Sequence, residues 1–132
     1  VTDRELESIG IPGHSPGQLG LLDREAGILF GADVIGIAGN LYAHFRDCDV
    51  GAYIQTFADL VDRYEAGEFD VLATGHNDPY TGDEIEIMEE MRVKLGDIED
   101  DTAGYEIVET DWGPARNYDF DTFTVLTDTN TG

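Results

Sequence analysis

Two of the three histidines in this 132-residue chain, and one of its aspartates, follow short apolar runs. His14 stands in Pro12-Gly13-His14-Ser15-Pro16-Gly17, Asp33 in Gly31-Ala32-Asp33 after Ile28-Leu29-Phe30, and His76 in Ala73-Thr74-Gly75-His76-Asn77 after Val71-Leu72. An apolar run that stops at glycine reads as a strand delivering its next residues to a loop, and loops on a packed scaffold concentrate binding and catalytic groups. Imidazole and carboxylate are ligand types of a hydrolytic zinc centre. A carboxylate can also bridge two cations roughly 3.5–4 Å apart. Structural readings stand beside these: an exposed turn histidine at 14, a turn or cap aspartate at 33, and a histidine capping backbone groups at 76.

In this order and at these intervals the segments resemble the C-terminal half of the metallo-β-lactamase-fold hydrolases, over residues 9–79 and on through the following helix. That family carries a Gly-His-Ser-Pro-Gly segment, a Gly-Asp segment on the next strand, and a Gly-His segment after a helix. The resemblance implies an αββα sandwich of two similar halves with its site along one edge of the sheets, of which this chain is the C-terminal half. It implies that His14, Asp33 and His76 are metal ligands for one or two zinc ions, with Asp33 bridging, and two ions only when the N-terminal half is supplied. Ala32 departs from the family's Gly-Asp pattern, which requires a shifted register or a bulge. The family's His-x-His-x-Asp-His motif has no counterpart, since His14, His44 and His76 are the only histidines.

The implied activity is metal-dependent hydrolysis of an ester, thioester, amide or phosphoester, by a chain that is incomplete and inactive alone. A ligating imidazole donates its second N–H to an oxygen, which makes Asn77 and Asp78 candidates for that support. Tyr42, His44, Phe45 and Arg46 fall where the family borders its groove, as candidates to contact a small-molecule substrate, Arg46 by pairing with an acidic group. Half of a two-layer sandwich leaves a sheet face to be covered, so association with an N-terminal half or with a second copy is expected.

Composition narrows the partners. Twenty-nine Asp and Glu face seven Lys and Arg, a formal charge of -22, and the acids are spread along the whole chain. That suits a hydrated surface in a salt-loaded, halophilic cytoplasm, and disfavours nucleic acid and anionic membrane surfaces as partners. Cys48 is the only cysteine, so no intramolecular disulfide forms and a cytoplasmic location is expected. An alternative from another class is a non-catalytic acidic remnant or interaction module; a third is a calcium-stabilised acidic domain. Asp128-Thr129-Asn130 has the start of a calcium loop but lacks its glutamate.

One partial domain over residues 1–132 is expected, of class α/β, with α+β as the alternative. Strands are predicted over residues 5–11, 18–22, 27–30 and 69–73, with Asp23-Arg24-Glu25-Ala26 as a hairpin turn. Residues 34–47 read as a long loop. Val50, Tyr53, Ile54, Phe57, Leu60, Val61 and Tyr64 mark a helix over 49–66 that Gly67 stops. A second helix starts at the capping box Thr81–Glu84 and buries Ile85, Met88, Met91, Leu95 and Ile98. Residues 105–132 form a tail with candidate strands at 105–108 and 123–127 and a frayed end; in it Trp112, Arg116 and Tyr118 either pack over the site or close the core.

Overall fold

The computed structural model describes residues 6–14, 17–36, 39–43 and 48–129. His44, Phe45 and Arg46, with Ser15 and Pro16, lie outside the described residues. In chain order the elements are strands β1 (Glu7–Gly10), β2 (Leu19–Asp23), β3 (Ile28–Phe30) and β4 (Leu41–Ala43), helix α1 (Val50–Glu65), strands β5 (Val71–Ala73) and β6 (Tyr80–Thr81), helix α2 (Ile87–Glu99), and strands β7 (Glu106–Thr110), β8 (Gly113–Asp119) and β9 (Thr124–Asp128). The class is mixed α/β, as the interleaved pattern requires.

The first sheet runs β1-β2-β3-β5-β6. Its β2–β3 hairpin closes through the expected polar turn, where Asp23 Oδ1 accepts from the Ala26 amide at 3.0 Å and the Gly27 amide donates to the Asp23 carbonyl at 2.8 Å. β5 adds to β3 in parallel, with Leu29 opposite Leu72 and Phe30 opposite Ala73. Parallel strands need a crossover, which α1 supplies. Asp49 caps α1 by accepting from the Ala52 amide at 3.1 Å. Beyond its end Gly67 adopts φ 80, while Gly67 and Glu68 donate to the carbonyls of Tyr64 and Arg63. The box at Thr81–Glu84 forms, but it opens a 3-10 turn over Gly82–Glu86 before α2 proper begins.

The tail is structure rather than fringe. β4, β9, β8 and β7 make a second sheet in that order. β4 falls inside the segment read as a loop and pairs in parallel with β9, Leu41 opposite Val125. The Asn40 side chain reinforces this join, accepting from the Thr124 amide at 2.9 Å. Leu41, Ala43, Tyr118, Phe123 and Val125 belong to the same buried cluster as Leu22, Leu29, Leu72, Phe57, Leu60 and Met91. The two sheets and two helices therefore share one core.

The pleat sends Leu22, Leu29 and Leu72 into that core and Leu19, Leu21 and Phe30 to the opposite face. There these three side chains are 60%, 41% and 45% exposed. Charge is handled locally. Arg24 and Arg63 join Glu7, Asp59 and Glu68 in one surface network, and the Arg24 guanidinium holds the Glu7 carboxyl below its ordinary range. Among the described residues no helix is long and apolar enough to cross a membrane.

If the tail completes the core, Phe123→Ala should cost about 3–5 kcal/mol, the usual scale for emptying a buried aromatic site. Ile107→Ala, on the exposed side of β7, should cost under about 0.5 kcal/mol. Urea unfolding followed by circular dichroism measures both, and equal midpoints for the two variants would show the tail to be detachable.

Candidate functional site

His14 is placed by a loop pinned to the start of α1. The Asp49 amide donates to the Gly13 carbonyl at 2.8 Å, and the buried Thr56 hydroxyl donates to the Pro12 carbonyl at 2.6 Å. Gly13 has φ 139, and a Cβ there would lie 2.6 Å from the nearest carbon of the Tyr53 ring. Only a residue without a side chain lets the backbone lie on that ring. Burial pushes the Tyr53 phenol's pKa up, so it stays neutral. The His14 ring is steered from the other side, its Nδ1 donating to the Tyr42 carbonyl at 3.2 Å. In a neutral imidazole a proton on Nδ1 leaves the lone pair on Nε2, the tautomer that a ligating histidine uses. The Cys48 thiol donates to the His14 and Tyr42 carbonyls at 3.2 and 3.4 Å.

Asp33 and His76 are brought together by the β3–β5 pairing. Hydrogen bonds continue past the strand ends, from the Gly31 amide to the Ala73 carbonyl at 2.7 Å and from the Gly75 amide to the Ala32 carbonyl at 2.8 Å. The extra residue Ala32 is absorbed by a tight turn: its φ is 45, and the Val34 amide donates to the Gly31 carbonyl at 2.9 Å. A turn after the strand thus replaces the shifted register or strand bulge. The result sets Asp33 Oδ1 3.2 Å from His76 Nε2. Zinc bonds of about 2.0–2.2 Å at a tetrahedral angle put neighbouring donor atoms roughly 3.3–3.6 Å apart, close to this separation. The same distance serves a hydrogen bond when Nε2 carries the proton.

One cleft of about 510 Å³ is lined by His14, Asp33 and His76 together with Tyr42, Tyr53 and Leu126, and with Glu109 to Trp112 of the β7–β8 turn. The three expected ligands therefore line one cleft, as does Tyr42. Among the described residues, however, no three His, Cys, Asp or Glu side chains converge closely enough to hold a metal ion. Imidazole and carboxylate are donor types that a zinc centre uses, but the described residues do not close a donor set. Asn77 braces the backbone: its amide nitrogen donates to the Gly36 carbonyl and Thr74 hydroxyl, and its oxygen accepts from the Gly39 amide. Asp78 is exposed. The tail residues left open divide, with Trp112 at the cleft, Tyr118 in the core, and Arg116 over the Tyr105 ring at 4.7 Å.

No family model matches the sequence, and no curated protein matches it. Solved structures match in fold. A metallo-β-lactamase from Pontibacter korlensis has a TM-score of 0.57 at 16% identity, over 73% of this chain and 43% of its own. One from Erythrobacter litoralis gives 0.53 at 21% identity, over 74% and 40%. A stereoselective inverting sec-alkylsulfatase from Pseudomonas sp. gives 0.61 at 18% identity, over 76% and 17%. The chain thus has the metallo-β-lactamase fold over about three quarters of its length, and it spans less than half of each of these structures.

The contact between Gly13 and Tyr53 can be tested directly. Gly13→Ala should destabilise the chain by about 1–3 kcal/mol through overpacking and backbone strain. Gly17→Ala, where a Cβ would meet nothing within 4 Å, serves as the control. Thermal unfolding compares them, and a Gly13→Ala midpoint equal to that of the control would remove the close approach as a constraint.

Proposed function

We propose that this chain contributes His14, Asp33 and His76 to the metal site of a metallo-β-lactamase-like hydrolase acting on an ester, thioester, amide or phosphoester. One observation carries the reading: three segments far apart in sequence, each ending a strand or the loop after it, meet in one cleft with Asp33 and His76 at ligand spacing. Each residue has a distinct task. Tyr42 fixes the ring of His14 through Nδ1. The turn at Ala32 aims Asp33 at His76. Asn77 holds the loop at Gly36 and Gly39 on the segment that carries His76. Bound zinc would supply an acidified water and a Lewis acid for the carbonyl or phosphoryl oxygen of the group under attack.

The exposed apolar face bearing Leu19, Leu21 and Phe30 is, on this reading, where the rest of the sandwich packs. That occupant is favoured because the chain spans only 43% and 40% of the metallo-β-lactamases it matches. Completing the burial of these half-exposed side chains would add roughly 1 kcal/mol each, a favourable contribution to such packing. The observation also favours a second reading, an interaction module in which the cleft binds no metal.

Two measurements separate these readings. Zinc analysis should find about one ion on the wild-type chain, as a single site would hold. It should find none on His14→Ala/His76→Ala, and an unchanged content on His44→Ala. No zinc on any of them, with unchanged circular dichroism spectra, would favour the interaction module. For the face, sedimentation velocity should show Leu19→Ser/Leu21→Ser/Phe30→Ser less self-associated than the wild type, and identical sedimentation at every concentration would count against an uncovered face.

A further inference from the structure

We propose that the groove where the start of α2 meets the end of α1 docks a basic segment of another protein, through apolar side chains on one face of that segment. The groove shares no lining residue with the cleft of His14, Asp33 and His76, so the proposal is independent of whether that cleft holds a metal. It measures about 980 Å³. Its apolar lining comes from three elements: Val61 and Tyr64 of α1, Tyr80 of β6, and Ile87 and Val93 of α2. Val93 is 47% exposed and the other four are half-buried, so this surface stays wet in the chain alone. Lining positions on α2 run from Ile87 to Lys94, about two turns or roughly 10 Å, the contact length of a short helix laid in a groove.

Charge selects the occupant. Six of the fifteen lining residues are Asp or Glu, against 29 of 132 in the whole chain, so the groove is more acidic than the general surface. Some of these carboxylates are engaged: Glu89 pairs with Arg92, Glu84 accepts from the Thr81 amide, and Glu90 accepts from the Thr122 hydroxyl. Glu65, Asp83 and Glu86 are exposed and form no ion pair among the described residues. Lys94, also in the lining, lies over the Phe120 ring, 5.7 Å from its centre. A second copy of this chain would bring a formal charge of -22 against the same carboxylates. A neutral apolar segment would dry the groove and leave them unpaired. A basic segment with an apolar stripe satisfies both the carboxylates and the exposed Val93.

The probe is a short fluorescein-labelled peptide of leucine and lysine at helical spacing, compared with the same residues scrambled so that no apolar stripe forms. Fluorescence anisotropy with the whole chain should show saturable binding of the striped peptide, about tenfold tighter than the scrambled one, the scale of one buried apolar side chain. Val93→Ser should reduce that preference. Asp83→Asn/Glu86→Gln should weaken binding about three- to tenfold, the scale of two exposed ion pairs. Asp100→Asn/Glu106→Gln removes the same charge from exposed positions outside the groove and should change the affinity by less than about twofold. No saturable binding, or equal affinities for the two peptides, overturns the inference. Equal losses in the two charge variants overturn it too, by showing attraction to net charge alone. Self-association of the chain that Val93→Ser abolishes would assign the groove to a second copy and likewise overturn it.

Discussion

Parallel pairing of β3 with β5 sets both the core and the cleft. Leu29 lies opposite Leu72, and both point into the shared core with no exposure. The same ladder runs on through Gly31, Ala73, Ala32 and Gly75, and so determines that Asp33 and His76 leave their strands at the same level. A slip of one residue would turn Leu72 toward the exposed face and carry His76 away from Asp33. Burial therefore enforces the register, and the register enforces the spacing of Asp33 and His76. The site inherits its geometry from apolar residues that never touch it.

The other walls of the cleft depend on this pairing less directly. α1 is the crossover that the parallel pair requires, and its first turns anchor the loop of His14 through Asp49, Tyr53 and Thr56. The second sheet contributes Tyr42 from β4, Leu126 from β9 and the β7–β8 tip. Three structural units thus converge at one place, each held by backbone hydrogen bonds or buried rings.

The parts of this arrangement that were legible in the sequence are those with local signatures. Ile28 to Phe30 and Val71 to Ala73 are short apolar runs bounded by glycine, and the helical stripe from Val50 to Tyr64 has the period of α1. His14, Asp33 and His76 could be singled out because each follows such a run, but that they line one cleft could not be read from it. β4 was not, because three residues in a small-residue segment become a strand only when distant β9 arrives to pair with them. β8 carries Gly113, Pro114 and Asn117, which read as turn residues, and its buried positions Ala115 and Tyr118 do not alternate. Its hydrogen bonds to two neighbours override that weak propensity. The part played by Glu109 to Trp112 was hidden for the same reason, since a hairpin has to be known before its tip can be placed.

Phe30 connects the exposed sheet face with the strand ends that line the cleft. It belongs to the exposed sheet face, and it lies three positions before Asp33 on the strand whose end forms the site. Its backbone partner Ala73 accepts the hydrogen bond from Gly31 that starts the Ala32 turn. A body that packs on Phe30 would therefore press on the strand ends that aim Asp33 at His76. On the metal-site reading, covering the face and filling the donor set would be linked, because a partner that narrowed the motion of that turn would raise the affinity for an ion, and the ion would raise the affinity for the partner by the same factor.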